Sequence, residues 1–213
     1  MSQDFPYQDT QISALHETRH QWLLDYIIAS GVNKLAELGC GSGRLLWKIL
    51  QNTDCQVTGV DDSGLSVMQA RENMAAFLTG EPSRVRLLVS SYLDALPDLQ
   101  ALSLIIMTET IEHIMPTDLS RVEHNVFGNM APKRLVITTP NAEFNIVYGL
   151  TAGQYRDPDH KFEWSRQKFK QWSQGVASRN GYQVSFTGIG DYERGLGQPT
   201  QVAIFAKNVT IDC

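Results

Sequence analysis

Short apolar segments alternate with stretches of helical periodicity along most of this chain, and that alternation leaves few folds open. Residues 34–38, 56–60, 85–89, 102–107 and 134–138 read as strands. Residues 44–51, 63–78, 118–129 and 165–180 read as helices. A helix between two strands returns the chain to the edge it left, so successive strands run parallel. Residues 182–189 and 200–207 are β-rich runs joined by a Gly-rich loop, the pattern of an antiparallel pair. The expected fold is therefore α/β, a doubly wound and mostly parallel sheet ending in an antiparallel hairpin. Ligands of such sheets sit where strands end at their carboxyl edge.

Composition fits one globular body. The chain has 213 residues, 42% hydrophobic and 19% charged, enough apolar material for a core and no sign of disorder. No stretch approaches the roughly 20 apolar residues that span a bilayer. Residues 1–10 hold two acids and no base, so no signal peptide is expected, and a cytoplasmic location follows. The three cysteines, Cys40, Cys55 and Cys213, lack paired spacing and read as reduced thiols. Apolar residues Ile12, Leu15, Trp22, Leu23, Tyr26 and Ile27 suit an amphipathic helix over 11–30, stopped at Gly31. Residues 1–30 are expected to pack on a catalytic domain formed by 31–213. The net charge of −5 does not point to nucleic acid. Residues 133–213 carry ten Lys/Arg against seven Asp/Glu, so a polyanion would meet that half.

Glu37-Leu38-Gly39-Cys40-Gly41-Ser42-Gly43 closes the first strand. Gly39, Gly41 and Gly43 let the backbone turn tightly and approach a ligand closely. Asp61 ends the second strand, where a carboxylate can accept both hydroxyls of a ribose. A plain strand–helix turn with an acidic helix cap would also give this pattern, as would a nicotinamide-cofactor loop. The Glu-x-Gly-x-Gly-x-Gly spacing resembles the nucleotide loop of class I methyltransferases, a Rossmann-like fold, which implies S-adenosylmethionine. In that family the residue after the third strand contacts the adenosine, a position held here by Ser91. Thr108, closing the fourth strand, is placed with the cofactor residues.

Thr108-Glu109-Thr110-Ile111-Glu112-His113-Ile114 follows the fourth strand. If a helix begins near Glu109, then Glu109, Glu112 and His113 stand at i, i+3 and i+4 and share one face. A Glu-rich first helical turn is also favoured by the helix dipole alone. Three such groups together at a strand end favour a metal site. His160, in the polar loop 156–164, is a candidate fourth member. Two carboxylates with two imidazoles and no thiolate suit Mn²⁺, Fe²⁺, Co²⁺ or Zn²⁺, with Mg²⁺ possible. His16, His20 and His124 lack comparable neighbours, and Trp164 reads as a core anchor.

These stretches resemble the methyltransferase domain of the small-RNA 3′-terminal 2′-O-methyltransferases, which act on plant microRNAs, animal piRNAs and bacterial RNA ends under repair. The matching motifs are Glu109-Thr110-Ile111-Glu112-His113-Ile114, Thr138-Thr139-Pro140-Asn141-Ala142-Glu143-Phe144-Asn145 and Asp159-His160-Lys161-Phe162-Glu163-Trp164-Ser165. The resemblance covers about residues 10–206. It implies Glu109, Glu112, His113 and His160 as ligands of Mn²⁺ or Mg²⁺. It implies Glu37, Gly39, Gly41, Gly43, Asp61, Ser91 and Thr108 around the cofactor, and Asn141, Arg156 and Lys161 near the RNA end. Such a metal would chelate the 2′- and 3′-hydroxyls of the last nucleotide, so the substrate is an RNA 3′ end with a free diol. His113 or His160 is expected to take the proton. Leu102-Ser103 replaces an aromatic–acid pair that relatives often carry, and larger bacterial relatives have an additional N-terminal region. An RNA-repair or RNA-binding partner protein is therefore considered, and no membrane is expected. The competing readings are a methyltransferase of small metabolites, a metal-dependent hydrolase and a non-catalytic binder of RNA ends. The hydrolase lacks the His-Glu-x-x-His order or its inverse.

Overall fold

The computed structural model describes residues 14–79 and 83–208. The expected start of the first helix at residue 11, the reading of residues 1–10 and Cys213 lie outside them. The chain divides into two compact units, residues 1–92 and 93–213.

The first unit runs α1 (Ala14–Ser30), β1 (Lys34–Leu38), α2 (Arg44–Asn52), β2 (Gln56–Asp61), α3 (Gly64–Asn73), α4 (Ala75–Leu78) and β3 (Val85–Val89). Its strands lie in the order β3-β2-β1, all parallel. Leu23, Leu24 and Ile27 turn one side of α1 into the core, and Gly31 ends the helix with φ +65°. Glu17 pairs with Lys48 and Arg44 of α2. The single helix expected over 63–78 is broken at Met74. Ser63 caps α3 by accepting the N–H of Ser66, whereas Asn73 reaches out to the carbonyl of Ser42. Met74 leaves helical geometry there and is fully buried.

The second unit runs β4 (Leu104–Thr108), α5 (Leu119–Val122), β5 (Arg134–Pro140), α6 (Arg166–Asn180), β6 (Tyr182–Ile189) and β7 (Thr200–Lys207). Helix α5 continues as a π-helix over Glu123–Met130. The order is β4-β5-β7-β6, with β4 and β5 parallel and β7 antiparallel to both β5 and β6. Strand β7 lies between two partners, and its apolar stretch over residues 202–205 is largely buried. Strand β4 begins two residues later than expected, because Ala101 takes φ +54° and bonds the Met130 carbonyl before the chain extends. Phe127, Tyr182 and Phe205 meet edge to face in the core. The fold class read from the sequence, mostly parallel α/β with an antiparallel end, is the one present. Among the described residues no helix is long and apolar enough to cross a membrane.

Candidate functional site

Two sets of residues sit at carboxyl ends of parallel strands, one in each unit. In the first, Gly39, Gly41 and Gly43 take φ of 75°, 51° and 79°, a region that favours glycine. The N–H groups of Gly39 and Cys40 both bond the Val60 carbonyl, folding the loop back over β2. Asp61 then braces it. Its Oδ2 accepts the Gly41 N–H at 2.8 Å and its Oδ1 accepts the Ser63 N–H at 3.0 Å. Each carboxylate oxygen still has a lone-pair direction for a ribose hydroxyl. Glu37 is buried in β1. Ser91 follows β3 and is half-buried. Burial, with Glu37 and Asp61 nearby, pushes the Cys40 thiol well above its usual range, so Cys40 is a packing residue.

Gly43 also closes the packing beneath the loop. A Cβ there would lie 2.5 Å from Met74 Cε and 3.2 Å from Ala70 Cβ, on a backbone already left-handed. Gly43→Ala is expected to destabilise the fold by about 1–3 kcal/mol, read as a lower denaturant midpoint.

In the second unit the helix expected to begin at Glu109 is absent. Glu109 takes φ +50°, and its N–H bonds both the carbonyl and Oγ1 of Thr138, each at 3.1 Å. Only a 3-10 turn, Ile111–His113, follows. The i, i+3, i+4 argument therefore fails for Glu109, whose backbone is tied to the end of β5. Glu112, His113 and His160 nonetheless converge, each offering one ligand-type atom within 4.8 Å of the others. Glu109 is not in that group. The loop bearing His160 is pinned to the turn by the Lys161 N–H, which bonds the Glu112 carbonyl at 2.7 Å. One carboxylate and two imidazoles fit a divalent cation of borderline hardness. Thr108 ends β4, and its Oγ1 is buried with no hydrogen-bond partner.

Each ligand-type side chain has a polar partner. Thr139 Oγ1 donates to Glu112 Oε2 at 3.0 Å. His113 Nδ1 faces Asp159 Oδ2 at 3.2 Å, and His160 Nδ1 faces Glu163 Oε1 at 2.6 Å. Burial opposes ionisation of Glu163, yet His160, Asn145 and the Arg156 N–H outweigh it and hold its pKa below the ordinary carboxylate value. Lys161, then His113, do the same for exposed Asp159. Sequence reading missed Thr139, Asp159 and Glu163 as supports of these ligands. The only signal was their place inside the same motifs.

Two residues expected at the RNA end are engaged within the fold, Asn141 buried and Arg156 half-buried. Asn141 is fully buried. Its Nδ2 donates to the carbonyls of Leu196 and Gln198, and its Oδ1 caps the following 3-10 helix (Ala142–Tyr148) through the Glu143 N–H. Arg156 donates to Asn145 Oδ1, the Pro199 carbonyl and the Asn141 carbonyl. A guanidinium engaged on three sides within the fold is not free to clamp phosphate, so both residues are better assigned to scaffolding. Lys161 is exposed, with its ammonium on Asp159 at 2.8 Å. Trp164 is buried against Phe162, as expected of a core anchor.

A family profile described as a methyltransferase domain matches residues 36–133. The chain is 34% identical over 204 residues to a small RNA 2′-O-methyltransferase of Gallus gallus, covering 91% of this chain and 54% of that protein. It is 36% identical over 206 residues to one from Mus musculus, with coverages of 91% and 51%. It thus spans about half the length of these curated relatives. The crystal structure of the methyltransferase domain of bacterial CtHen1-C superimposes with a TM-score of 0.81 at 29% identity, covering 92% of this chain and 100% of that one. The crystal structure of the small RNA methyltransferase HEN1 gives 0.83 at 30% identity, covering 99% and 27%.

Proposed function

We propose that this chain, which is similar over most of its length to small-RNA 2′-O-methyltransferases, methylates the 2′-hydroxyl of the 3′-terminal nucleotide of RNA, with S-adenosylmethionine as donor. The observation that carries the reading is the convergence of Glu112, His113 and His160 at the end of β4. A class I fold needs no such cluster to hold its cofactor. A cluster of this kind suits a substrate that itself offers two oxygens, the vicinal diol of a terminal ribose.

In this reading residues 31–213 form the catalytic domain. Glu37, the three loop glycines, Asp61 and Ser91 hold the cofactor. Asp61 orients the loop and accepts the ribose hydroxyls. Glu112, His113 and His160, with Glu109 as a fourth ligand, would hold Mn²⁺ or Mg²⁺. When bound, such a cation lowers the pKa of a ribose hydroxyl and fixes its position. Thr139 keeps the Glu112 carboxylate from rotating. With Nδ1 of His113 and His160 facing carboxylates, Nε2 is the nitrogen left on each ring. One lone pair cannot both ligate and accept a proton, so the expected role of these histidines as the base gives way to a holding role. Lys161 is left to meet the RNA backbone near its end. Phosphate neutralisation scales with the cations offered, and a chain of net charge −5 offers few. The reading therefore assigns further grip on RNA to a partner protein.

Radiolabelled cofactor, Mn²⁺ and short RNA with either a free 3′ end or a 3′-phosphate test this. Label is expected only on the free end. Equal labelling of both would sink the terminal-diol reading. Label on neither RNA, but on an RNase-resistant extract fraction, would favour a small-metabolite substrate.

A further inference from the structure

Glu163 stands apart among the carboxylates around the cluster. Its side chain is 0% exposed and that of His160 is 7% exposed. Its Oε1 faces His160 Nδ1 at 2.6 Å and accepts the Arg156 N–H at 2.7 Å, while Oε2 accepts Asn145 Nδ2. Asn145 cannot turn away, because Arg156 Nε donates to its Oδ1 at 2.7 Å. Arg156 is in turn anchored on the Pro199 and Asn141 carbonyls at 2.8 and 2.6 Å. The carboxylate is thus clamped from three sides by groups that are themselves clamped.

An ionised carboxylate can only accept. The ring nitrogen facing it must therefore carry a proton, which in the neutral imidazole leaves the lone pair on Nε2. The contrast with His113 is instructive. Its partner Asp159 is 69% exposed and shared with Lys161, and the contact is longer at 3.2 Å. An exposed carboxylate exchanges freely with water and sets a tautomer weakly.

We infer that Glu163, held by Asn145 and Arg156, is a positioning residue that fixes the tautomer and ring orientation of His160 for ligation through Nε2. This rests on the metal reading above for its consequence, but not for its first test. Buried partners of this kind typically change metal affinity by about 10–100-fold when removed. The inference also gives Asn141 and Arg156 their work: they hold the clamp rather than the RNA.

The first test uses the apo protein. Nitrogen-15 NMR of labelled histidine, at a pH where the ring is neutral, should show His160 protonated on Nδ1. Glu163→Gln keeps the shape and loses the charge, and should mix the tautomers. An Nε2-protonated His160 in the wild type, or no change in the variant, would overturn the inference whatever the protein's activity. The second test is Mn²⁺ titration by calorimetry. Glu163→Gln should weaken binding by about 10–100-fold. Unchanged Mn²⁺ affinity in Glu163→Gln would mean that Glu163 acts elsewhere. If the wild type binds no Mn²⁺ while the NMR result holds, the metal reading fails and the positioning stands.

Discussion

His160→Ala is expected to abolish measurable Mn²⁺ binding and to reduce methyl transfer by at least about 100-fold, with S-adenosylmethionine affinity unchanged. The magnitude follows from the size of the set. His160 is one of only two imidazoles in the proposed set of four, and losing it removes a quarter of the donors that displace water from the cation. The loss should exceed that of removing a supporting partner, which is about 10–100-fold. His160 sits in the second unit and the glycine loop in the first, and the cofactor residues named above do not include it. The variant also leaves Glu163 buried without its imidazole partner, so a stability loss of about 1–3 kcal/mol should accompany it. Calorimetry with Mn²⁺ and with S-adenosylmethionine, run on the same preparation, separates the two effects. Loss of cofactor affinity together with metal affinity would assign His160 to folding instead.

Asp61→Ala is expected to weaken S-adenosylmethionine binding by at least about 100-fold, which is about 2.8 kcal/mol. The carboxylate does two things at once. It fixes the glycine loop through the Gly41 N–H and the start of the next helix through the Ser63 N–H. It also offers charged acceptors for ribose hydroxyls, and hydrogen bonds to charged groups are the stronger kind. Asp61→Asn keeps one acceptor oxygen and should fall between wild type and alanine. The readout is the dissociation constant by calorimetry, and an unchanged constant in Asp61→Ala would remove Asp61 from the cofactor site.

Much of the frame was legible before any coordinates. Periodicity located the seven strands to within about two residues, because a strand buried on both faces such as β4 reads as an apolar run and a half-exposed one such as β6 as an alternation. The break at Met74 was not legible, since it depends on Asn73 bonding Ser42, 31 positions away. The start of β4 depends likewise on Ala101 meeting Met130. In the candidate site, Glu112 and His113 were found through a helical-face argument whose geometry is wrong. They converge because they are neighbours on a tight turn. Glu109 adopts a left-handed backbone that no spacing rule anticipates.

The sequence by itself determined the strand–helix alternation, the glycine loop with its acid 22 positions after Gly39, and the motifs that carry the family. Each is a local pattern, written within a few turns of chain or in residue types that few other arrangements need. Only the tertiary structure decided what the motif residues touch. It engaged Asn141 and half-buried Arg156 with carbonyls of the fold, and it brought Glu163 against His160 with Asn145 and Arg156 behind it. A polar side chain in a loop has the same letters whether it faces water or a carbonyl 43 residues away, as Arg156 does at Pro199. Which of the two it meets is set by how the strands and loops pack, and that packing is what turns a motif into a site.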